Sequence, residues 1–382
     1  MIRPTHALVS LRAIRRNTRA VLDLIGPARK LLVMVKADAY GHGALPIART
    51  ALDEGASFLG VALVEEGISL RDQGIDAPIL VFTSLMPNAA SALLEYNLIP
   101  TLSSLAFAEA LNRAAVAAGV VHPVHVDVDT GMGRFGFRVE DPNTFTSIRS
   151  IAAMKGLCIE GIMTHFASAD DHDACDFTRS QLTSFRNLLR DLAGTGIRPN
   201  LIHVANTAGI LCHPDSHESL VRLGLGLYGY YPDPSVPHTV PLEPCLELVS
   251  RIIHLKTCAA GSPIGYGRTF TTARSTRIAT VPVGYADGYP RELSNLGKVL
   301  VLSPDHNTRT SCAVIGRVCM DDILVDVTDV PGAVSIADDV VIYSNRRQDP
   351  NSVESIASVL GTIPYTLSTR LTARVPRVHF EE

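Results

Sequence analysis

Eight short apolar runs, each closed by turn residues, recur through the first two thirds of this chain. They read LLVMVKA (31–37), FLGVAL (58–63), PILVFT (78–83), IPTLSS (99–104), VHVDVD (124–129), IEGIMTH (159–165), LIHVAN (201–206) and RLGLGLYG (222–229). Between them lie segments of helical spacing, clearest at Leu182, Phe185, Leu188, Leu189 and Leu192, which share one helix face. Strand and helix therefore alternate. An open doubly wound sheet usually has fewer strands and a Gly-rich dinucleotide turn after the first, and no G-x-G-x-x-G is expected to follow a strand here; the repeat predicts a closed (β/α)8 barrel.

The rest of the chain has a different texture. YPDPSVPHTVPLEP (231–244) is dense in proline, which blocks helix and withholds sheet donors, so it reads as a linker. Beyond it, LELVSRIIHLKT, TRIATVPVGY, KVLVLS, ILVDVT and DVVIY are short and β-branched, with one helical stretch near NSVESIASVLG. The expected architecture is α/β: a TIM-type barrel over residues 1–236, then a mainly β domain over 237–382.

Composition excludes several classes of partner. With 382 residues, 46% of them hydrophobic, and a net charge of −4, the chain has no excess of positive charge to attract nucleic acid or a membrane surface. MIRPTHALVS lacks a signal peptide's apolar core, and no later run approaches the ~20 apolar residues of a membrane span, so the expected location is the cytoplasm. The seven cysteines are odd in number and form no C-x-x-C pair, which predicts reduced thiols and neither a disulfide framework nor a metal site.

Polar residues stand where the apolar runs end. Side chains at the C-terminal ends of barrel strands converge on one mouth, where such barrels place their chemistry. Lys36, Arg134, His165, Asn206, Thr207 and Arg222 all occupy such positions. Singly, a strand-end lysine is usually a rim charge, a lone histidine a satisfied core group, and an arginine a surface ion-pair partner. Together they point to a catalytic mouth.

VKADAYGHG (35–43) resembles the pyridoxal-phosphate attachment motif of the alanine racemase family. DTGMGRFG (129–136), GIMTHFASAD (161–170), HVANTAG (203–209), VRLGLGLYG (221–229), GYGRTF (265–270), VPVGYADGYPR (281–291), GRVCMD (316–321) and RVPRV (374–378) resemble that family's other blocks, in the same order. The resemblance implies interconversion of L- and D-alanine through a pyridoxal 5'-phosphate aldimine, supplying D-alanine for peptidoglycan. An α-proton is too weakly acidic for a side chain alone, so the reaction needs an electron sink, and inversion needs a base on each face.

By the same resemblance, Lys36 is the cofactor anchor and one base, and Tyr266 the other, with His165 beside it. Arg222 faces the pyridine nitrogen and, unable to give up its proton, leaves that nitrogen uncharged. Tyr40, Asn206, Thr207 and the backbone at Gly224 and Leu225 hold the cofactor, with Thr207 where serine is common in the family. Arg134 and the Met320 backbone take the substrate, and Tyr285 and Arg291 narrow the access. The family's head-to-tail homodimer draws Tyr266 and Met320 from the partner copy.

Two positions depart from the family pattern. Asp127 stands where many members carry a carbamylated lysine, so no carbamate is expected, and a shorter carboxylate is left to orient Arg134. Ala373 stands where some relatives have a tyrosine, which predicts a wider pocket and one hydroxyl fewer near the phosphate. Three rival readings remain open: a racemase of serine or broader range, a basic-amino-acid decarboxylase of similar architecture, and a non-catalytic cofactor-binding protein. Arg222 argues against the decarboxylase, and the β domain carrying Tyr266 against the last.

Overall fold

In the computed structural model, which describes residues 2–302 and 308–381, each of the eight runs overlaps a strand of one parallel sheet. The strands are Lys30–Met34, Phe58–Val61, Ile79–Val81, Ile99–Leu102, His122–Asp129, Leu157–Met163, Leu201–His203 and Leu220–Leu223. They pair in chain order, and the last pairs with the first. The remaining gap, between Leu201–His203 and Leu220–Leu223, is bridged by the Arg222 N–H donating to Ala205 O at 3.0 Å. Strands such as Phe58–Val61 and Leu220–Leu223 are buried at every position, as expected where helices cover the outside of the barrel and side chains fill its inside. The predicted amphipathic helix runs Cys175–Gly194 and turns Leu182, Phe185, Leu188 and Leu192 onto Val126, Ile162, Phe166 and Val204.

Two expectations change in detail. The eighth run stops being a strand at Leu223, because Gly224 leaves extended geometry (φ −102°, ψ −100°) and Leu225–Tyr228 forms a tight 3-10 turn. The proline-dense linker has no regular element over 232–245 but is not a solvated tether. Tyr231, Val236, Val240 and Leu242 bury themselves around Leu211, and the Tyr231 hydroxyl donates to Val240 O at 2.7 Å.

The chain divides into two units, one of residues 14–39 and 44–242, the other of residues 1–13, 40–43 and 243–382. The first thirteen residues, expected in the barrel, therefore belong with the β domain. His6–Ser10 pairs antiparallel with Leu246–Arg251 and parallel with Arg377–Phe380, inside a six-stranded sheet. Arg3 locks this arrangement, donating at 2.6 Å to each carboxylate oxygen of the fully buried Asp287, a bidentate pairing with little room for rotation. The β domain contains the predicted helix, Val353–Leu360, and an unpredicted one, Pro364–Thr369. Among the described residues, no helix is long and apolar enough to cross a membrane.

Residues 40–43 belong to the β-domain unit although strand Lys30–Met34 belongs to the barrel. Arg377 Nε donates to Gly41 O at 2.9 Å, and the His379 ring lies 2.8 Å from His42 O. Gly41 has φ +82°, and a Cβ there would lie 2.1 Å from Ser368 O. Left-handed geometry and backbone contact compound, so Gly41→Ala is expected to destabilise the protein by about 3 kcal/mol. Thermal unfolding of the two proteins side by side checks this; an unchanged midpoint would show that residues 40–43 are not held as described.

Candidate active site

Lys36 begins a single helical turn, Lys36–Gly41, of unusual hand. Ala37, Asp38, Ala39 and Tyr40 have φ between +51° and +53°, a left-handed path that each L-residue adopts at a cost of about 1–2 kcal/mol. Side chains hold the turn in place. Glu66 accepts from the Ala37 N–H at 2.6 Å and, through its other oxygen, from Ala62 and Leu63; Asp38 accepts from Ala44 at 2.7 Å. Beneath it, the Tyr228 hydroxyl donates to Met34 O at 2.7 Å. Lys36 itself is half-buried. Burial lowers its pKa, Arg134 lowers it further, and Glu66 opposes both, so the neutral, nucleophilic amine is more accessible than on a free lysine.

Arg222 lies at the centre of the barrel unit, 3% exposed. Its guanidinium donates to Thr164 O and Val204 O at 2.9 Å and to ring nitrogens of His165 and His203 at 3.0 Å. Because a guanidinium only donates, Nδ1 of each histidine must accept, which leaves each ring its proton on Nε2. Burial, with Arg222 adding to it, holds His165 well below the usual histidine range, so the ring stays neutral. Arg222 is lowered to about 10 by its own burial and remains charged at neutral pH. Its Nε–H has no partner among the described residues.

The block DTGMGR forms the adjoining loop. Asp129 is buried and accepts from the Gly131 and Gly133 N–H groups at 2.9 and 3.0 Å, shaping the turn that presents Arg134. Asp127, Met132, Arg134 and His165 line one small cavity. Asp127 and Arg134 make no ion pair among the described residues; the Arg134 guanidinium is exposed and sits 5.2 Å from the Phe135 ring centre. The direct carboxylate-to-arginine contact is therefore absent.

Thr207 begins helix Thr207–Cys212, which Asn206 caps by accepting from the Gly209 N–H at 2.9 Å. The buried Thr207 hydroxyl accepts from Gly224 N–H at 3.0 Å, which places Thr207 beside Gly224 and Leu225. Residues 224–229 also have G-x-G-x-x-G spacing, a phosphate-cradling signal present in the sequence but hidden inside its eighth apolar run.

The other expected residues belong to the β-domain unit. Tyr266 is 70% exposed and Met320 is 52% exposed, and the Tyr285 and Ala286 N–H groups bond to Cys319 O and Met320 O. Tyr285 and Arg291 line one cavity with Gly288, Tyr289 and Arg370. Tyr40 packs against Tyr365, ring centres 5.7 Å apart. Ala373 is exposed, and the phenol found beside Tyr40 is that of Tyr365, in the helix the sequence did not suggest. Sequence reasoning also missed Glu66, which no motif marks, and buried Gln181, whose side chain donates to His165 O and Thr130 and accepts from Ala167 N–H.

These residues suit pyridoxal phosphate: a lysine with a depressed pKa, a buried arginine whose Nε–H is unused, and a hydroxyl among glycine N–H groups. A family model described as alanine racemase, N-terminal domain, matches residues 9–232, and one described as alanine racemase, C-terminal domain, matches residues 245–379. The chain is 39% identical over 379 residues to alanine racemase 1 of Caldanaerobacter subterraneus subsp. tengcongensis, covering 99% of this chain and 95% of that one. It is similar to the solved alanine racemase of Clostridium difficile 630 in complex with cycloserine (TM-score 0.91, 33% identity, 99% of this chain and 96% of that one). It is also similar to that of Bartonella henselae with covalently bound pyridoxal phosphate (TM-score 0.86, 28% identity, 99% of both chains).

Asp127 supports a pH test. Burial pushes its carboxyl up to about 6, against the pull of Arg222 and Arg134. An acid whose folded pKa exceeds its unfolded value near ~3.9 holds its proton more tightly when folded, so its contribution is present at low pH and lost as pH rises to about 6. In cofactor-free protein, Asp127→Asn should be stabilising relative to wild type by about 1–3 kcal/mol at pH ~8 and give little gain at pH ~4. Thermal midpoints across that range check it; a pH-independent difference would contradict it.

Proposed function

The chain belongs to the alanine racemase family, and from that premise we propose that Lys36 and Tyr266 are its two bases, each serving one face of alanine at a site shared between two copies of the chain. The reaction is the interconversion of L- and D-alanine. Pyridoxal phosphate, on which the family depends, supplies when bound the electron sink that makes the α-proton removable. The observation that carries the assignment is the meeting, in one barrel unit, of a lysine with a depressed pKa and a buried arginine with an unused Nε–H.

Each residue then has a task its surroundings suit. The Lys36 amine would hold the cofactor and, when free, would hold a proton at Nζ. Arg222, through its Nε–H, would face the pyridine nitrogen and, being cationic itself, would disfavour a proton there, which would leave a sink suited to simple proton transfer. Tyr40 and Thr207, with Asn206 as the cap beside Thr207 and the backbone N–H groups of Gly224 and Leu225, hold the phosphate. Arg134 takes the substrate carboxylate by a charge-assisted bond, with the Met320 backbone beside it. His165, neutral and protonated at Nε2, orients the Tyr266 phenol. Tyr285 and Arg291 restrict access.

Tyr266, Tyr285 and Met320 are all exposed on the β-domain unit, a placement suited to completing a neighbour's site in a homodimer. A cytoplasmic role, providing D-alanine for peptidoglycan, accords with all seven cysteines being free thiols.

Tyr266→Phe should lower kcat by about 100-fold or more in both directions with cofactor still bound, while solvent deuterium continues to enter D-alanine through Lys36. Chiral chromatography and NMR of the product read both effects; undiminished racemisation would remove Tyr266 from the mechanism. Mixing Lys36→Ala with Tyr266→Phe tests the shared site. If each site combines residues of two copies, random reassortment restores about a quarter of wild-type activity, because half the dimers hold one intact site. No recovery after subunit exchange would place both bases in one chain.

A further inference from the structure

The acceptors around Arg222 do not end with the two histidines it touches. His203 Nε2 lies 2.7 Å from His125 Nδ1, and His125 Nε2 lies 3.6 Å from Glu160 Oε2. We propose that Glu160, acting through His125 and His203, is a positioning residue for Arg222, fixing the roll of the guanidinium and so the aim of its Nε–H. The proposal rests on the reading above that Nε–H meets the pyridine nitrogen.

The polarity of this chain is set at both ends. Arg222 can only donate, so His203 accepts at Nδ1 and carries its proton on Nε2. That proton goes to His125 Nδ1, which forces the His125 proton onto Nε2, directed at Glu160. An ionised carboxylate can only accept, so the far end demands the same direction. Burial holds both rings below the ordinary histidine range, the neutral state the scheme needs.

Two further features indicate a built arrangement. His125 Nε2 and Glu160 Oε2 are both buried atoms with no hydrogen-bond partner among the described residues, and they face each other at ion-pair distance. At 3.6 Å the link is electrostatic rather than a hydrogen bond, which makes the carboxylate's charge the operative property. Residue 161 is glycine, and a Cβ there would stand 2.3 Å from His125 Nδ1, inside the space the ring occupies. The two rings meet edge-on with centres 4.9 Å apart, and Phe82 closes the other side of His203 at 6.4 Å. An interior that only had to be filled would take apolar side chains, with no polar groups to satisfy.

Nitrogen-15 NMR of histidine-labelled, cofactor-free protein tests the chain directly. The expected wild-type result is Nε2–H for both His125 and His203, with Nδ1 as acceptor; an Nδ1–H form of either ring overturns the proposal. Glu160→Gln keeps the shape and removes the charge. The variant should show a second tautomer at His125, and its loaded form a displaced ring-nitrogen resonance of labelled pyridoxal phosphate. Its kcat should fall about 3- to 10-fold in both directions, with KM for alanine within about twofold, as expected for loss of alignment without loss of substrate binding. Unchanged tautomers, or an unchanged ring-nitrogen resonance, overturn it. Failure of wild-type protein to bind pyridoxal phosphate would instead defeat the proposed function, and the tautomer measurement would still decide the chain.

Discussion

The barrel interior is organised around one cation removed from water, the Arg222 guanidinium. An ion in such a place is strongly unfavourable unless every donor is met, and an arginine brings five N–H groups in a fixed plane. Here two carbonyls and one imidazole share Nη2 and a second imidazole takes Nη1, with no carboxylate in ion-pair contact among the described residues. The demand for acceptors propagates outward. It fixes the tautomers of His165 and His203, keeps both rings neutral, and accounts for imidazoles in the barrel interior. It also leaves Nε–H, and one N–H of Nη1, without a partner among the described residues, and the proposed cofactor contact uses the first of these.

Lys36 is under a related constraint. A lysine that must act as a nucleophile and a base needs its neutral form within reach at ordinary pH, and half-burial beside Arg134 disfavours the ammonium. The left-handed turn that follows it is the conformational cost of ending a buried strand on such a residue. Four consecutive non-glycine residues with positive φ do not persist unless the surroundings hold them. Glu66 and Asp38 do so through backbone N–H groups.

Much of this was legible in the sequence, for a physical reason. Strands buried on both faces must be continuously apolar, and a polar residue closing such a run is conspicuous; Lys36, His165 and Arg222 were found that way, and the eight-stranded barrel with them. What escaped notice depends on contacts distant in the chain. His6–Ser10 looks like any short strand until its partners at Leu246–Arg251 and Arg377–Phe380 are known. His125, His203 and Gln181 sit within apolar patterns and gain meaning only from Arg222 and Thr130. Tyr365 gives no signal in the sequence because Pro364–Thr369 is too short for periodicity to reveal, and Ala373, expected in the pocket wall, is exposed.

The account stands on Lys36 being the residue that carries the cofactor. The chain has five lysines, Lys30, Lys36, Lys155, Lys256 and Lys298, so covalent trapping distinguishes them. Protein loaded with pyridoxal phosphate, reduced with borohydride and digested should yield one phosphopyridoxyl peptide, bearing its label on Lys36. Label on Lys256 or any other lysine, with Lys36 unmodified, would contradict the account.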